Sequence, residues 1–333
     1  MAAKTAFVTG ATGFLGLNLV EQLTAAGWSV VALHRATSDL GPLRAFPVAP
    51  VEGDLLDLAS LKRALPQRVD AVFHVAADTS VWARNNPRQT RINVEGTQNV
   101  LEAALAAEAR RFIHTSTWNT YGLDQRALHE DLPQLGGGSW INYNRTKFLA
   151  EEAVRAALAR GLDAVILNPS NIMGRYDRHS WARIVIDLCN RWIPAAPPGA
   201  GCFCHGAAIA RAQIAAAERG RSGRNYLLGG EHATLLEVFR IIGEVAGCRV
   251  PTRTVPASAF MAVARINVAL AAVLAPTVLG YEPEITPEGV AMVSLDARVV
   301  STRAEEDLGY EAVPLRTLIE DSHAWLRGQG LVP

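Results

Sequence analysis

The run Gly10-Ala11-Thr12-Gly13-Phe14-Leu15-Gly16 lies between an apolar stretch, residues 4–9, and a helical pattern, residues 14–26. Few short sequences restrict a fold more, because a glycine triplet that follows a strand and opens a helix is the context a dinucleotide-binding turn requires. Gly10 permits the tight turn, Gly13 lets a pyrophosphate approach the backbone, and Gly16 lets helix and strand pack closely. Thr12, Gly13, Phe14 and Leu15 stand at the start of a helix whose free N–H groups and partial positive charge suit phosphate oxygens.

The alternation continues along the first half. Strands are expected at residues 28–33, 48–52, 71–76, 111–116 and 163–167, with helices at 58–65, about 92–109 and about 142–160. This order predicts an α/β fold, a Rossmann-type doubly wound parallel sheet with helices on both faces. The nearly all-apolar strand 71–76 belongs near its centre. The second half is less regular: a proline-rich segment at 194–198, a helix at 207–218, a short strand at 226–228 and an apolar stretch at 257–275. It predicts a smaller, mostly helical substrate-binding part. The division expected is residues 1–168 for the dinucleotide and 169–333 for the substrate, with about 201–230 returning to the first domain. No repeat or low-complexity linker parts the halves, so a substrate cleft between them is expected.

Composition excludes several function classes. The 32 basic and 32 acidic side chains cancel and form no like-charge block, so nothing marks a nucleic-acid or anionic-membrane partner. Cys189, Cys202, Cys204 and Cys248 are too scattered for a disulfide framework and read as reduced cytoplasmic thiols. Cys202-Phe203-Cys204-His205 lacks the second ligand pair a tetrahedral site needs, so no metal is expected. Arg265 and Asn267 interrupt the 257–275 stretch and Pro276 closes it. An arginine at bilayer depth costs roughly 2.5–3.5 kcal/mol, so a buried or pocket-lining helix is expected rather than a span. Loose membrane association through an exposed apolar face stays open. A strand beginning within four residues leaves no room for a signal peptide. The expectation is a cytoplasmic monomer or homodimer acting on a small molecule.

Strand two runs into Ala32-Leu33-His34-Arg35-Ala36-Thr37-Ser38, with no acid before Asp39. A carboxylate there holds the ribose hydroxyls of NAD, whereas the guanidinium fork of Arg35, with the hydroxyls of Thr37 and Ser38, suits a 2′-phosphate. NADP(H) is therefore expected over NAD(H). Asp54 can accept from the adenine amino group while Leu55 packs on the ring, or Asp54 can cap a short turn.

Tyr143 and Lys147, four residues apart on a helix, share one face. A tyrosine of pKa near 10 must come down by ~3 units to trade protons at neutral pH, about 4 kcal/mol of phenolate stabilisation. Lys147 and the positive nicotinamide ring are expected to supply it together. A hydroxyl of Ser116 or Thr117, at the end of strand five, is placed to hold the substrate oxygen.

With these residues the chain resembles the extended short-chain dehydrogenases/reductases over essentially its whole length. The matching segments are residues 9–16, Gly53 and Asp54, residues 74–77, 93–97 and 115–117, the Tyr143/Lys147 pair and residues 168–174, with a closing pattern at 301–310. The resemblance implies that Tyr143 is the acid/base and that Lys147 binds the nicotinamide ribose. Thr117, five before Gly122, becomes the catalytic hydroxyl, and Ser116 its neighbour near the nicotinamide. Ala76 and Ala77 pass close to the cofactor, Asn93 braces the site or only caps its helix, and Pro169 and Ser170 present backbone to the carboxamide. His74 and His114 read as structural histidines. Asn168 departs from the arginine common in nucleotide-sugar members, and Trp118 and Asn119 replace the usual small residues. Arg35 to Ser38 and the 257–275 stretch are closer to the dihydroflavonol-reductase and 3β-hydroxysteroid-dehydrogenase branch. The expected activity is NADP(H)-dependent reduction of a hydrophobic or aromatic ketone or aldehyde, with Ser80, Trp82, Trp118, Asn119, Asn171 and Tyr176 as pocket candidates. The alternative is a nucleotide-sugar epimerase or dehydratase, which needs a basic diphosphate clamp from Arg175, Arg178, Arg183 and Arg211.

Overall fold

The computed structural model describes residues 3–123, 125, 127–274 and 283–333. In chain order its strands are β1 (Thr5–Thr9), β2 (Ser29–His34), β3 (Val48–Glu52), β4 (Ala71–His74), β5 (Phe112–Thr115), β6 (Ala127–Leu128), β7 (Ala164–Pro169), β8 (Asn171–Met173), β9 (Ala200–His205), β10 (Asn225–Leu228), β11 (Glu231–Thr234) and β12 (Arg298–Val299). The helices are α1 (Phe14–Ala25), α2 (Leu58–Ala64), α3 (Asn86–Thr90), α4 (Gly96–Ala106), α5 (Asn142–Ala159), α6 (Ala182–Asn190), α7 (Gly206–Arg219), α8 (Leu235–Ala246), α9 (Ala257–Leu274), α10 (Pro287–Val293), α11 (Thr302–Leu308) and α12 (Leu315–Gly328).

Seven strands form one parallel sheet in the order β3-β2-β1-β4-β5-β7-β10, a doubly wound sheet whose order reverses between β1 and β4. Ligands bind such sheets beyond the carboxyl ends of the strands at this reversal. Successive side chains of each strand face opposite ways. Ala6 and Val8 of β1, Phe73 of β4, Ile113 of β5 and Val165 of β7 join the core under α1 and α7. Phe7, Val72, Phe112 and Ile166 join the other, under α2, α4 and α5. Both faces are thus buried, which is why these strands read as unbroken apolar runs rather than alternating ones. Burying each Leu, Ile or Phe contributes about 1.5–3 kcal/mol.

A third core lies in the second half, where Met173, Val185, Phe203, Phe239 and Leu318 bring together β8, β9, α6, α8 and α12. Thr234 and Glu237 close a capping box that starts α8. The second half also returns to the sheet through β10 and through α7, which packs on α1.

Two expectations are corrected. The helix expected from about residue 92 begins at Asn86, with Pro87 in its first turn, where the missing N–H has no intrahelical acceptor anyway. It then passes through a π-helical turn at Arg91–Glu95 before α4. The apolar stretch near 257–275 forms α9, but only Ala264 and Ala271 are buried, whereas Val263, Ile266 and Leu270 stand exposed on one side. The helix lies at the surface rather than in the core, with Phe260, Met261, Asn267 and Val268 half-buried beside the two buried alanines. Among the described residues no helix is long and apolar enough to cross a membrane; Ala275 and Pro276 lie outside them.

Candidate active site

The dinucleotide cradle is a matter of backbone. Gly10 takes φ +71°, and a Cβ there would fall 2.7 Å from the amide nitrogen of Ala76. A Cβ on Gly16 would meet the Gly10 carbonyl oxygen at 2.0 Å, so both residues are fixed by packing. Gly13 is different: its nearest neighbour would be an ordinary 3.4 Å away. The protein itself therefore leaves space at Gly13, the point a pyrophosphate approaches. Gly13 also begins α1 with no side-chain cap, so the first-turn N–H groups are left for a ligand. Leu15 is buried in the core behind the turn, and Thr12 and Phe14 are half-buried at its rim. These residues fit a dinucleotide.

Beneath the cradle a polar chain ties the strand ends together. Thr9 Oγ1 lies 2.8 Å from His74 Nδ1 and accepts from the Ala76 amide at 3.3 Å. His74 Nε2 lies 2.9 Å from Thr97 Oγ1, which donates to the Asn93 carbonyl at 2.7 Å. Burial, then the Lys147 charge, lowers the pKa of His74 to about 3, and the same two influences hold His114 well below its usual value. Both are neutral, stacked rings 5.5 Å apart on adjacent strands. Asn93, in the π-turn, accepts from the Asp78 amide at 2.8 Å and donates to the Asp78 carbonyl at 2.9 Å and to Thr146 Oγ1 at 3.1 Å. It pins the loop carrying Ala76 and Ala77 to α5, between those elements rather than at a helix end.

At the far end of β2 and β3 a cavity of about 240 Å³ is lined by Arg35, Glu52, Asp54, Asp57, Ser60 and Arg63. Ser38 Oγ accepts from the Arg35 amide at 3.0 Å, so Ser38 shapes the turn that presents Arg35. Asp54 Oδ1 accepts from the Leu56 amide at 2.8 Å, while Asp57, not Asp54, caps α2. Leu55 packs beside Gly96 on the lower core. Arg63 has one sequence signal only, a position on α2 one turn along the same face from Ser60.

Tyr143 and Lys147 lie on the inward face of α5. Lys147 is buried and donates from Nζ to the Thr115 carbonyl at 2.6 Å. Burial lowers its pKa to about 8, against the pull of Glu151. The Thr117 hydroxyl lies near enough to Tyr143 to favour a lower pKa. Thr117 Oγ1 in turn accepts from the Asn119 amide and from Asn119 Nδ2, both at 3.3 Å. The pKa of Tyr143 is not drawn down in the protein alone: burial pushes it up to about 12, with the Thr117 contact opposing. The Lys147 ammonium is turned to the Thr115 carbonyl rather than to the phenol, so desolvation dominates. Ser116 is buried against Glu151, and Ser170 follows β7 with its amide donated to the Leu228 carbonyl at 2.9 Å, leaving Pro169 at the strand's carboxyl end.

Beyond Thr117 an apolar cavity of about 100 Å³ is walled by Trp118, Asn171, Trp181, Phe203 and Met292. Trp181 and Phe203 meet edge to face at 5.1 Å, and Asn171 Nδ2 donates to the Cys202 carbonyl at 3.0 Å. Other pocket candidates have structural partners. Ser80 Oγ accepts from Asn85 Nδ2 at 2.8 Å, and Trp82 is buried with Arg84 over its ring. Tyr176 adopts φ +73° and packs between Phe46 and Trp325, away from the residues that line this cavity. Among the described residues no cluster of three or more ligating side chains is placed to hold a metal.

Comparison with known proteins places this architecture. Residues 6–229 match the model of the NAD-dependent epimerase/dehydratase family. Sterol demethylase protein B of Methylococcus capsulatus is 31% identical over 98% of this chain and 100% of its own length. A putative dihydroflavonol 4-reductase of Synechocystis is 31% identical over 98% of this chain and 95% of its own. The crystal structure of gox2253 superposes with a TM-score of 0.83 at 31% identity, covering 99% and 100% of the two chains. The chain belongs to the NAD-dependent epimerase/dehydratase family, the extended short-chain dehydrogenases/reductases, and is an NAD(P)-dependent enzyme acting on CH–OH or carbonyl groups.

Proposed function

We propose that this enzyme is an NADP(H)-dependent reductase of hydrophobic or aromatic ketones and aldehydes, reversible as an alcohol dehydrogenase. The observation that carries the reading is the aromatic, charge-free wall of the cavity lined by Trp118, the residue that follows Thr117. A bound nicotinamide supplies or accepts the hydride. Thr117 orients the carbonyl oxygen by hydrogen bonding, and the Tyr143 hydroxyl delivers a proton to it as charge builds there. Lys147 holds the nicotinamide ribose and stabilises the phenolate that Tyr143 leaves. Arg35 and Arg63 support the choice of NADP(H), since two guanidiniums at the adenosine cavity suit a 2′-phosphate.

The names of the two relatives fit this reading, because a sterol is an apolar polycyclic molecule and a dihydroflavonol an aromatic ketone. A nucleotide-sugar diphosphate would need free arginines, and three candidates are engaged. Arg175 pairs with Asp321, Arg178 stacks on Trp325, and Arg183 pairs with Glu284. The test is a panel of 2-tetralone, acetophenone, taxifolin and androstenedione with NADPH and with NADH. Stoichiometric NADPH oxidation with alcohol formation is expected; no turnover of any of them, with interconversion of a sugar nucleotide, overturns the reading.

A further inference from the structure

Glu151 lies one helical turn beyond Lys147 and two beyond Tyr143 on α5, with no solvent exposure. A buried carboxylate is costly unless its lone pairs are met. Here Oε1 accepts from Ser116 Oγ at 2.5 Å and Asn168 Nδ2 at 2.6 Å. Oε2 accepts from Gln134 Nε2 at 2.7 Å, Arg155 Nη2 at 2.9 Å and Asn225 Nδ2 at 2.9 Å. The donors come from the ends of β5, β7 and β10, from a loop and from α5 itself. Asn168 Nδ2 also donates to the Thr117 carbonyl at 3.0 Å. Lys147 holds the Thr115 carbonyl from the other flank. Two opposite charges on α5 thus grip the three residues that carry the Thr117 hydroxyl.

A purely structural tie between these elements does not require a charge, since well-packed apolar residues of similar volume are often as stable as a buried ion pair. We propose that Glu151 is a positioning residue for the reaction: it fixes Ser116 and Thr117 against Tyr143 and supplies the negative charge that keeps the Lys147 ammonium protonated in a water-excluded site. This rests on Tyr143 and Lys147 acting as read above. The charged or titratable groups facing Lys147 are Glu151 and the protonated Tyr143 phenol on its own helix, His74 on β4 and His114 on β5. The two histidines are neutral, which leaves Glu151 as the countercharge, with Arg155 behind it.

The sign follows. Burial lowers the Lys147 pKa and Glu151 raises it, so removing the Glu151 charge moves loss of the Lys147 proton to lower pH. Removing the Arg155 charge leaves Glu151 less compensated and moves it to higher pH. Two readouts follow this midpoint: the alkaline limb of kcat/KM for NADPH-dependent reduction of 2-tetralone, and the pH dependence of Lys147 acylation by acetic anhydride, read by peptide mass spectrometry without any turnover. Glu151→Gln is expected to move the midpoint down by about one pH unit, the size of effect an adjacent charge produces. Arg155→Met is expected to move it up, and Glu151→Asp, which keeps the charge, to restore it. Ser116→Ala, which removes one hydrogen bond and no charge, lowers kcat several-fold with the midpoint in place. A Glu151→Gln protein that melts and binds NADPH as the parent does, yet shows an unmoved midpoint, overturns the proposal. If that variant does not fold, Arg155→Met decides, and an unmoved midpoint there overturns it equally. Turnover that survives Tyr143→Phe would instead defeat the underlying reading, so the two failures are distinct.

Discussion

The two ends of the cleft are built on different principles. The dinucleotide end is made from one continuous strand–turn–helix, and its shape lies in the backbone of Gly10, Gly13 and Gly16. The end proposed for the substrate is assembled from side chains that arrive separately: Trp118 after β5, Asn171 on β8, Trp181 before α6, Phe203 on β9 and Met292 on α10. A backbone site either forms or does not. A side-chain site changes by degrees, which is how one scaffold comes to serve different carbonyl compounds.

That contrast can be broken at several points. The largest effect is expected at Gly16→Val, whose Cβ has no space beside the Gly10 carbonyl; soluble yield and NADPH binding should both be lost. Retained binding, measured by fluorescence titration, would mean the turn tolerates far more than its geometry allows. Next, Tyr143→Phe removes the proton donor and should lower kcat by about 10²–10⁴-fold while NADPH affinity changes much less. A fall of kcat below tenfold would remove Tyr143 from the chemistry. Arg35→Asp should then raise KM for NADPH by about 10- to 100-fold, the weight of a lost charged hydrogen bond, with little change for NADH. Equal effects on both would sink the 2′-phosphate role. The smallest change belongs to the side-chain end. Trp181→Ala, losing one aromatic contact, should raise KM for 2-tetralone by about 2- to 10-fold and leave NADPH binding intact. A loss of NADPH binding there would show that the two ends are not separable.

The same contrast governs what the sequence discloses. The glycine turn, the alternation of strands and helices and the Tyr143/Lys147 pair are local patterns, legible because a few adjacent residues fix the geometry. The helix starts at Asn86, six residues before the start its apolar pattern suggests, because Pro87 sits in the first turn where no N–H is needed. α9 was expected inside because its composition is apolar; hydropathy records how greasy a helix is, not which of its faces finds a partner. The partners of two pocket candidates are set by tertiary packing that composition does not disclose: Tyr176 meets Phe46 and Trp325, and Ser80 accepts from Asn85. Arg63 and Glu151 were missed for the opposite reason. Charged residues on helices ordinarily face water, and only the tertiary structure turns Arg63 toward the cavity at the ends of β2 and β3 and buries Glu151 beside Ser116. In the protein alone burial outweighs everything else acting on Tyr143 and raises its pKa, and spacing along a helix says nothing about desolvation.

The central claim is that hydride leaves or reaches NADP(H) at Tyr143 and Thr117, with an apolar carbonyl compound as the other partner. The most direct measurement is the initial rate of coenzyme oxidation by the parent protein, with NADPH and NADH in parallel, against 2-tetralone and taxifolin. One NADPH consumed per alcohol formed, at a kcat/KM about tenfold or more above that with NADH, is the predicted result; a factor of ten is about 1.4 kcal/mol of preference, within the range of one charged contact. Equal or better turnover with NADH, or no net coenzyme consumption alongside interconversion of a nucleotide sugar, would contradict it.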